Sequence, residues 1–301
     1  MPSSLIDTGS ALKDHGRSPS GIDFRRIASV IDVGILRRAC VLLVGVGGGR
    51  RKAELLAHMD VGTLILVDPD IVESRNPATQ GHRETDLGLP KVGATADACS
   101  QINRNVTILP LQLTWQEALL RQPQLVSSAD FIIAATDSYA VNRSIRQFAI
   151  AHRTDLAEAW IWPNGDVIEH VVTWPDVIAA GGGCGTCHTK GRLDAYATGF
   201  KNPPDVPTYI LPAELSCVQT ALITVARLHM RSGSKLPITG IAEQFARRPF
   251  QLTRLNPAFW SAPDAPFGDT PENYETFTTR AYALDTPKAW TCPDCGTPGT
   301  I

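Results

Sequence analysis

Short apolar runs alternate with segments of helical periodicity along the first half of the chain. The runs begin at Cys40, Thr63, Val106 and Phe131. A run in which almost every position is apolar is typical of a strand buried on both faces of a parallel sheet. The segments RRKAELLAHMD and KVGATADACSQI lie between such runs and place their apolar residues on one helical side. The pattern predicts an α/β fold with a Rossmann-like, doubly wound, mostly parallel sheet.

The second half of the chain is less regular. The segment from Ala159 to Trp174 predicts two short strands around a Pro-Asn-Gly turn, and the segment from Leu215 to Met230 predicts an amphipathic helix. Near the other end, the pattern from Asp23 to Arg38 is compatible with a helix. Residues 1–22 have little periodicity, so we expect a flexible N-terminal arm. Nothing forces a second domain within residues 23–301.

A glycine turn follows the first predicted strand. Its glycines are Gly45, Gly47, Gly48 and Gly49. Because glycine has no Cβ, backbone N–H groups in such a turn can approach a phosphate, and the following helix N-terminus adds positive potential. Asp68, Asp70 and Asp137 follow later strands, so all these residues are expected at the carboxyl edge of the sheet, where ligands bind. The turn alone fits NAD as well as ATP.

Composition excludes some classes of function. The formal net charge is −2 and the pI is near 6.4, so there is no basic field for nonspecific nucleic-acid binding. No apolar run is long enough to cross a bilayer, and the first residues lack the apolar stretch of a secretory signal. We therefore expect a cytoplasmic protein with neither a membrane nor a nucleic acid as direct partner.

Four of the seven cysteines form two Cys-x-x-Cys pairs. The pairs are Cys184 with Cys187 and Cys292 with Cys295. This spacing lets both thiolates of a pair reach one tetrahedral Zn²⁺, and two pairs fill its coordination, as in a structural zinc site. The metal would then pin the C-terminal end back onto the sheet. The alternative is a pair of redox motifs, although neither pair sits at the strand-to-helix junction that such motifs occupy.

The stretch VDPDIVESRNPATQGHRETDLGLPKV, directly after the second strand, resembles the ThiF/MoeB family of ubiquitin-activating-enzyme-like adenylyltransferases (HesA/MoeB/ThiF). The resemblance includes the order of the two cysteine pairs and covers about residues 24–298. It implies that Asp68 holds the ribose of ATP and that Asp137 helps to hold Mg²⁺. It also implies that the remaining nucleotide contacts come from Asp70, Asn76, Gln80 and Lys91.

The resemblance also implies an activity. The family adenylates the C-terminal carboxylate of a small ubiquitin-like or sulfur-carrier protein that ends in Gly-Gly, and its members are commonly homodimers. The domain would then have a nucleotide-binding half at about residues 40–160 and a partner-binding and zinc half at about 161–301. Residues 23–38 would take part in the dimer.

Cys217 is the candidate for a second, acyl-accepting nucleophile. It lies at the N-terminal end of the predicted amphipathic helix, and a helix N-terminus favours the thiolate. In family members that form a thioester or acyl disulfide, a cysteine just before the corresponding helix takes the acyl group. The alternative is that Cys217 is a small buried residue.

The chain departs from the family pattern at two positions. Thr79 stands where the family has arginine, and Arg50 where it has glycine. Candidates to replace the missing arginine are Arg75 and Arg83. The resemblance also implies that Arg25 or Arg26 lies near a further family arginine that reaches the partner subunit's site, and Asn142 and Arg143 are weaker matches to the family's helix start. The departures keep alternatives open: a noncatalytic adaptor of the same fold, an NAD(P)-dependent oxidoreductase, or adenylation of another acceptor, such as a peptide or a modified tRNA base.

Overall fold

The computed structural model describes residues 21–201, 207–255, 277–282, 284 and 286–300. Apart from residues 21 and 22, the predicted N-terminal arm lies outside the described residues. The strands are β1 (Cys40–Val44), β2 (Thr63–Val67), β3 (Thr107–Leu111), β4 (Phe131–Ala134), β5 (Asp155–Ile161), β6 (Val167–Thr173), β7 (Phe250–Arg254) and β8 (Thr278–Tyr282).

Twelve α-helices and two short 3₁₀ helices, Glu84–Asp86 and Pro163–Gly165, connect or cover these strands within the described residues. The α-helices are α1 (Val33–Arg37), α2 (Arg50–His58), α3 (Asn76–Gln80), α4 (Lys91–Ile102), α5 (Trp115–Arg121), α6 (Pro123–Ser127), α7 (Tyr139–His152), α8 (Pro175–Ala179), α9 (Gly185–His188), α10 (Lys190–Ala197), α11 (Ile210–Arg231) and α12 (Thr239–Arg247). Within the described ranges, none of them combines the length and the apolar character needed to span a bilayer.

All the strands belong to one sheet with the order β3-β2-β1-β4-β5-β6-β7-β8. The pairs from β3 to β5 are parallel, and the pairs from β5 to β8 are antiparallel. Following the chain, β2 and β3 are added on one side of β1, and β4 and β5 are added on its other side. The boundary between β1 and β4 is therefore the switch point of a doubly wound sheet. The predicted α/β fold and its mostly parallel sheet are therefore confirmed.

Apolar side chains of the parallel strands alternate between two cores. Leu43 and Leu66 point to a core shared with α2, α4, α11 and α12, whereas Leu42 and Ile65 point to a core shared with α5, α6 and α7. Helices thus cover both faces of the sheet, which explains why the strands read as continuous apolar runs. One core lies against each face of the sheet, and the carboxyl ends of the parallel strands lie at an edge between the two helical layers.

Buried ion pairs anchor β5 to a helix on each face. Asp155 accepts two hydrogen bonds from Arg227 of α11, and Glu158 accepts two from Arg146 of α7. Both carboxylates are fully buried. Because each charge has its partner and directed hydrogen bonds, the pairs fix the registry of the strand between its helices.

The expected helix from Asp23 to Arg38 is largely wrong. The chain turns between residues 25 and 30, and α1 covers only its last residues. Asp32 explains the late start, because its side chain accepts a hydrogen bond from the Gly34 amide as an N-cap. The strands β7 and β8 and the helix α12 were not predicted.

Candidate functional site

The glycine turn lies at the carboxyl end of β1 and leads into α2. Gly45 has a φ of +87°, and a Cβ there would lie 2.6 Å from the Ala135 carbonyl oxygen. A Cβ on Gly49 would overlap the Gly45 carbonyl oxygen. In the described part of the chain, the amides of Gly47, Gly48 and Gly49 donate to no backbone or side-chain acceptor. The turn thus presents free N–H groups at a helix N-terminus, which is an arrangement that binds anions.

Asp68 fixes the shape of this turn from the end of β2. Its Oδ2 accepts a hydrogen bond from the Val46 amide at 2.8 Å, and its Oδ1 accepts one from the Asp70 amide at 2.9 Å. Burial raises the pKa of Asp68, although these hydrogen bonds and the Lys91 charge act against the rise. Lys91, the first residue of α4, lies 2.9 Å from the Asp70 carboxylate. Three predicted site residues therefore meet beside the turn.

Asn76 and Gln80 belong to the short helix α3 above the turn. Asn76 is buried, and its Oδ1 accepts a hydrogen bond from the Glu73 amide at 2.7 Å, so it holds the loop after β2. Gln80 packs against the turn itself, because a Cβ on Gly47 would lie 2.8 Å from Gln80 Oε1. The structure thus brings Gln80 directly to the site, and Asn76 supports the segment that carries it.

Asp137 follows β4, the strand that pairs with β1. Its side chain is exposed at the carboxyl edge of the sheet, next to Ser138, whose Oγ caps α7 by accepting from the Val141 amide. Thr136 donates to Asn142 Oδ1 at 2.7 Å and keeps this strand-to-helix connection in place. Asp137 and Asp70 therefore follow strands on either side of β1, and carboxylate oxygens are the ligands that Mg²⁺ prefers.

Arg50 is a residue whose place the sequence did not reveal. It is buried, and its guanidinium donates to Glu54, to Asp86 and to His82 Nδ1. These contacts tie the start of α2 to the loop that precedes α4. Burial, with the charges of Arg50 and Lys91, lowers the pKa of His82 to about 4. Arg50 is therefore charge-balanced and has a structural role beside the turn.

In the described part of the chain, neither Arg75 nor Arg83 takes the place of the arginine that the resemblance predicts at Thr79. The Thr79 hydroxyl donates to the Arg75 carbonyl at 3.0 Å. Arg75 is exposed and pairs with Glu73, and the Arg83 side chain is exposed as well. Arg25 pairs with Asp23. The segment after β2, which carries Thr79 and Gln80 and is called the loop side of the site, therefore places Gln80 rather than one of these arginines against the turn.

The expected position of Cys217 at a helix N-terminus is wrong. Cys217 lies in the third turn of α11, which begins two turns earlier because Pro212 is tolerated in the first turn of a helix. The thiol is buried and donates to the Gly48 carbonyl at 3.2 Å. Burial raises its pKa, and the nearby Lys52 charge offsets only part of the rise. The argument from a helix N-terminus therefore does not apply.

The four predicted zinc ligands come together at the far end of β6. Their sulfur atoms all lie within 4.8 Å of one another. The Sγ–Sγ distances are 4.0 Å for Cys184–Cys187, 3.7 Å for Cys184–Cys292 and 3.5 Å for Cys187–Cys295. Four sulfurs around a tetrahedral Zn²⁺ would lie about 3.8 Å apart, so these residues fit the metal.

The zinc-site loops are attached to α7, the helix that follows Asp137. Asp294, between the last two cysteines, accepts hydrogen bonds from Arg143 at 2.8 Å and from Gln147 at 2.9 Å. It also accepts one from the Thr186 hydroxyl. Arg143, a weaker candidate for the nucleotide site, therefore helps to attach the zinc-site loop to α7.

Comparisons with known sequences agree with this site. The sequence profile of the ThiF family matches residues 25–200. Molybdopterin-synthase adenylyltransferase of Escherichia coli is 32% identical over 123 residues, which are 40% of this chain and 49% of that protein. Adenylyltransferase and sulfurtransferase MOCS3 of Dictyostelium discoideum is 25% identical over 205 residues, 65% of this chain and 44% of that protein. The matches span about half the length of these curated relatives.

Solved structures show the same fold. MccB of E. coli with ATP gives a TM-score of 0.61 at 15% identity, over 88% of this chain and 69% of that chain. PaaA gives a TM-score of 0.56 at 19% identity, over 74% of this chain and 71% of that chain. At this identity the likeness concerns the fold. Since the family profile covers more than half of the sequence and its motif residues meet at one edge of the sheet, the chain belongs to the ThiF family.

Proposed function

We propose that this protein is an ATP-dependent adenylyltransferase. Its substrate would be the C-terminal carboxylate of a small ubiquitin-like or sulfur-carrier protein. The glycine turn carries the proposal, because its amides have no acceptor among the described residues and the turn lies at the carboxyl edge of the sheet, as do Asp70, Lys91 and Asp137. The relatives described above are named as adenylyltransferases, which favours ATP over NAD(P) as the nucleotide.

The chemistry needs positioning and charge more than a reactive side chain. The partner's carboxylate oxygen attacks the α-phosphorus of ATP, the bond from that phosphorus to the β-phosphate oxygen breaks, and pyrophosphate leaves. The turn amides and Lys91 would stabilise the negative charge on the phosphates, and Asp68 would orient the ribose. Asp137 and Asp70 would hold Mg²⁺, which supplies further positive charge when it is bound.

The partner and the assembly are proposed on the same grounds. The carrier would end in Gly-Gly, as the resemblance to the family implies. We propose a homodimer in which residues 23–38 take part. Four thiolates at one zinc site favour a reducing compartment, and so the cytosol.

Transfer of the acyl group to Cys217 would be a second step. The thiolate would attack the acyl carbon, a thioester would form and AMP would leave. Cys217 lies beside the turn, but it must first leave the Gly48 carbonyl and become accessible. A carrier adduct that is cleaved by thiols and lost in Cys217→Ser would support the step. Its absence from an enzyme that forms adenylate would identify Cys217 as a buried structural residue.

ATP–pyrophosphate exchange tests the first step directly. The wild type, Asp137→Ala and Lys91→Ala are assayed with a panel of carriers that end in Gly-Gly. We expect exchange that depends on one carrier and falls by about 100-fold or more in both variants, since each removes charge stabilisation at the phosphates. Asp97→Ala is the matched control, because Asp97 is an exposed carboxylate on α4.

The other outcomes favour the alternatives. ATP binding without exchange with any carrier would favour a different acceptor, such as a peptide. Failure to bind ATP would favour the noncatalytic adaptor, and tight binding of NAD(P) in its place would favour the oxidoreductase.

A further inference from the structure

Most cations around the glycine turn have carboxylate partners. Lys91 pairs with Asp70, and Arg50 pairs with Glu54 and Asp86. Arg51, next on α2, also contacts Glu54. Their positive charges are therefore largely balanced before any ligand arrives.

Lys52 differs from these cations. It lies in the first turn of α2, its side chain is buried, and only 3% of the residue is exposed. Its Nζ lies 3.3 Å from the Gly48 carbonyl oxygen and 3.6 Å from Cys217 Sγ. Among the described residues it makes no ion pair with a carboxylate. The ammonium group is thus buried directly beneath the turn and contacts only a carbonyl and a thiol.

The groups that Lys52 contacts do not balance its charge, and Glu214, the carboxylate whose charge acts on Cys217, lies 3.4 Å from Arg51. Burial raises the pKa of the Cys217 thiol, which stays protonated at neutral pH. Burial, together with the charge of Lys52, lowers the pKa of His170 to about 3, so this imidazole is neutral. His170 is held by the Thr220 hydroxyl at 3.1 Å. An ammonium in such surroundings is costly in the free protein, because it is desolvated and no described carboxylate lies within ion-pair distance of it.

We propose that Lys52 is a phosphate-recognition residue of this site, acting from beneath the glycine turn. The proposal rests on the proposed function, in which the triphosphate of ATP lies against the turn. Lys52 holds the Gly48 carbonyl inward, so that the neighbouring amides face outward, and it adds positive potential to the turn. The triphosphate then supplies the counter-ion that no described carboxylate provides. Lys52 thereby supplies charge that the loop side lacks at Thr79 and Gln80.

This role predicts opposite effects of Lys52→Met on binding and on stability. Loss of the charge should weaken Mg-ATP binding, measured by calorimetry, by about tenfold or more, which is about 1.4 kcal/mol. Binding of adenosine, which has no phosphate, should change by less than about twofold. The thermal midpoint of the nucleotide-free protein should stay equal or rise, because a buried, unbalanced charge is removed.

Two further variants separate charge from other effects. Arg51→Met removes the same charge from the same helical turn, but Arg51 is partly exposed and paired, so Mg-ATP binding should change by less than about threefold. Lys52→Gln keeps a hydrogen-bond donor near the Gly48 carbonyl without the charge, and it should bind Mg-ATP as weakly as Lys52→Met.

Several results would overturn the proposal. They are wild-type Mg-ATP affinity in Lys52→Met, restoration of affinity by Lys52→Gln, or a lower thermal midpoint with equal losses for ATP and adenosine. The last result would mean that Lys52 is only structural. A wild-type protein that does not bind Mg-ATP would instead refute the proposed function, so the two failures are distinguishable.

Discussion

At the residue scale, neighbouring glycines of the turn face different surroundings. A Cβ on Gly49 would overlap the Gly45 carbonyl oxygen, and a backbone oxygen cannot move aside as a side chain can. A Cβ on Gly48 would meet nothing within 4 Å. We therefore expect Gly49→Ala to lower the free energy of unfolding by about 1–3 kcal/mol or more.

Gly48→Ala is the matched control for this prediction. It makes the same chemical change one position earlier, and its φ does not lie in the left-handed region. Its free energy of unfolding should stay within about 0.5 kcal/mol of the wild type. Urea denaturation of both variants measures the difference. Equal unfolding midpoints for Gly48→Ala and Gly49→Ala would show that the turn is looser than its geometry indicates.

The residues of the turn and of the strand ends are predictable from the sequence, because local patterns place them. Gly45, Asp68 and Asp137 follow apolar runs, and the carboxyl ends of parallel strands share one edge. The burial of Lys52 and the position of Cys217 within α11 are not predictable in this way. Their burial depends on the packing of α11 against α2, two helices that are far apart in the chain, and no periodicity within either helix reports that contact.

At the scale of elements, the salt bridge between α11 and β5 allows a sharp comparison. Arg227 is buried and binds both Asp155, at 2.9 Å, and Asp176. Among the described residues, Arg227→Met would leave the fully buried Asp155 with only the longer contact from Arg231, at 3.3 Å. We expect a loss of about 3–5 kcal/mol in the free energy of unfolding, since a buried charge loses its main partner.

Arg231→Met is the control for the same carboxylate. Its side chain is 49% exposed, so its contact with Asp155 is screened by water and should contribute less than about 1 kcal/mol. Chemical denaturation distinguishes the two arginines. A similar loss in both variants would contradict the assignment of Arg227 as the main partner.

The elements differ in how far the sequence reveals them. The parallel strands were predictable because both of their faces are apolar. The strand β7 was not, because it contains Gln251, Thr253 and Arg254, which are buried polar residues. Contacts from elsewhere in the fold satisfy some of these groups: the Thr253 hydroxyl accepts a hydrogen bond from Gln219 of α11 and contacts the Thr279 hydroxyl of β8. Polar strands of this kind resemble loops in sequence.

At the scale of the whole molecule, two long-range connections position the candidate site. One is the contact of α11 with the turn, through Cys217 and Gly48. The other is the attachment of the last cysteine pair to α7, through Asp294 and Arg143. The second connection reaches the helix that begins just after Asp137. The glycine turn and the start of α7 after Asp137 are therefore both supported by segments from the second half of the chain.

Metal content tests how the C-terminal end is held. The cysteine pairs are separated by about a hundred residues, so a metal that joins them closes a long loop and should stabilise the fold. We expect about one Zn²⁺ per chain by elemental analysis. Cys292→Ser should lose the zinc and lower the thermal midpoint by several degrees, whereas Cys40→Ser, at the start of β1, should keep it. Full zinc retention in Cys292→Ser would contradict the four-cysteine site, and zinc loss without a lower midpoint would show that the metal does not hold the fold together.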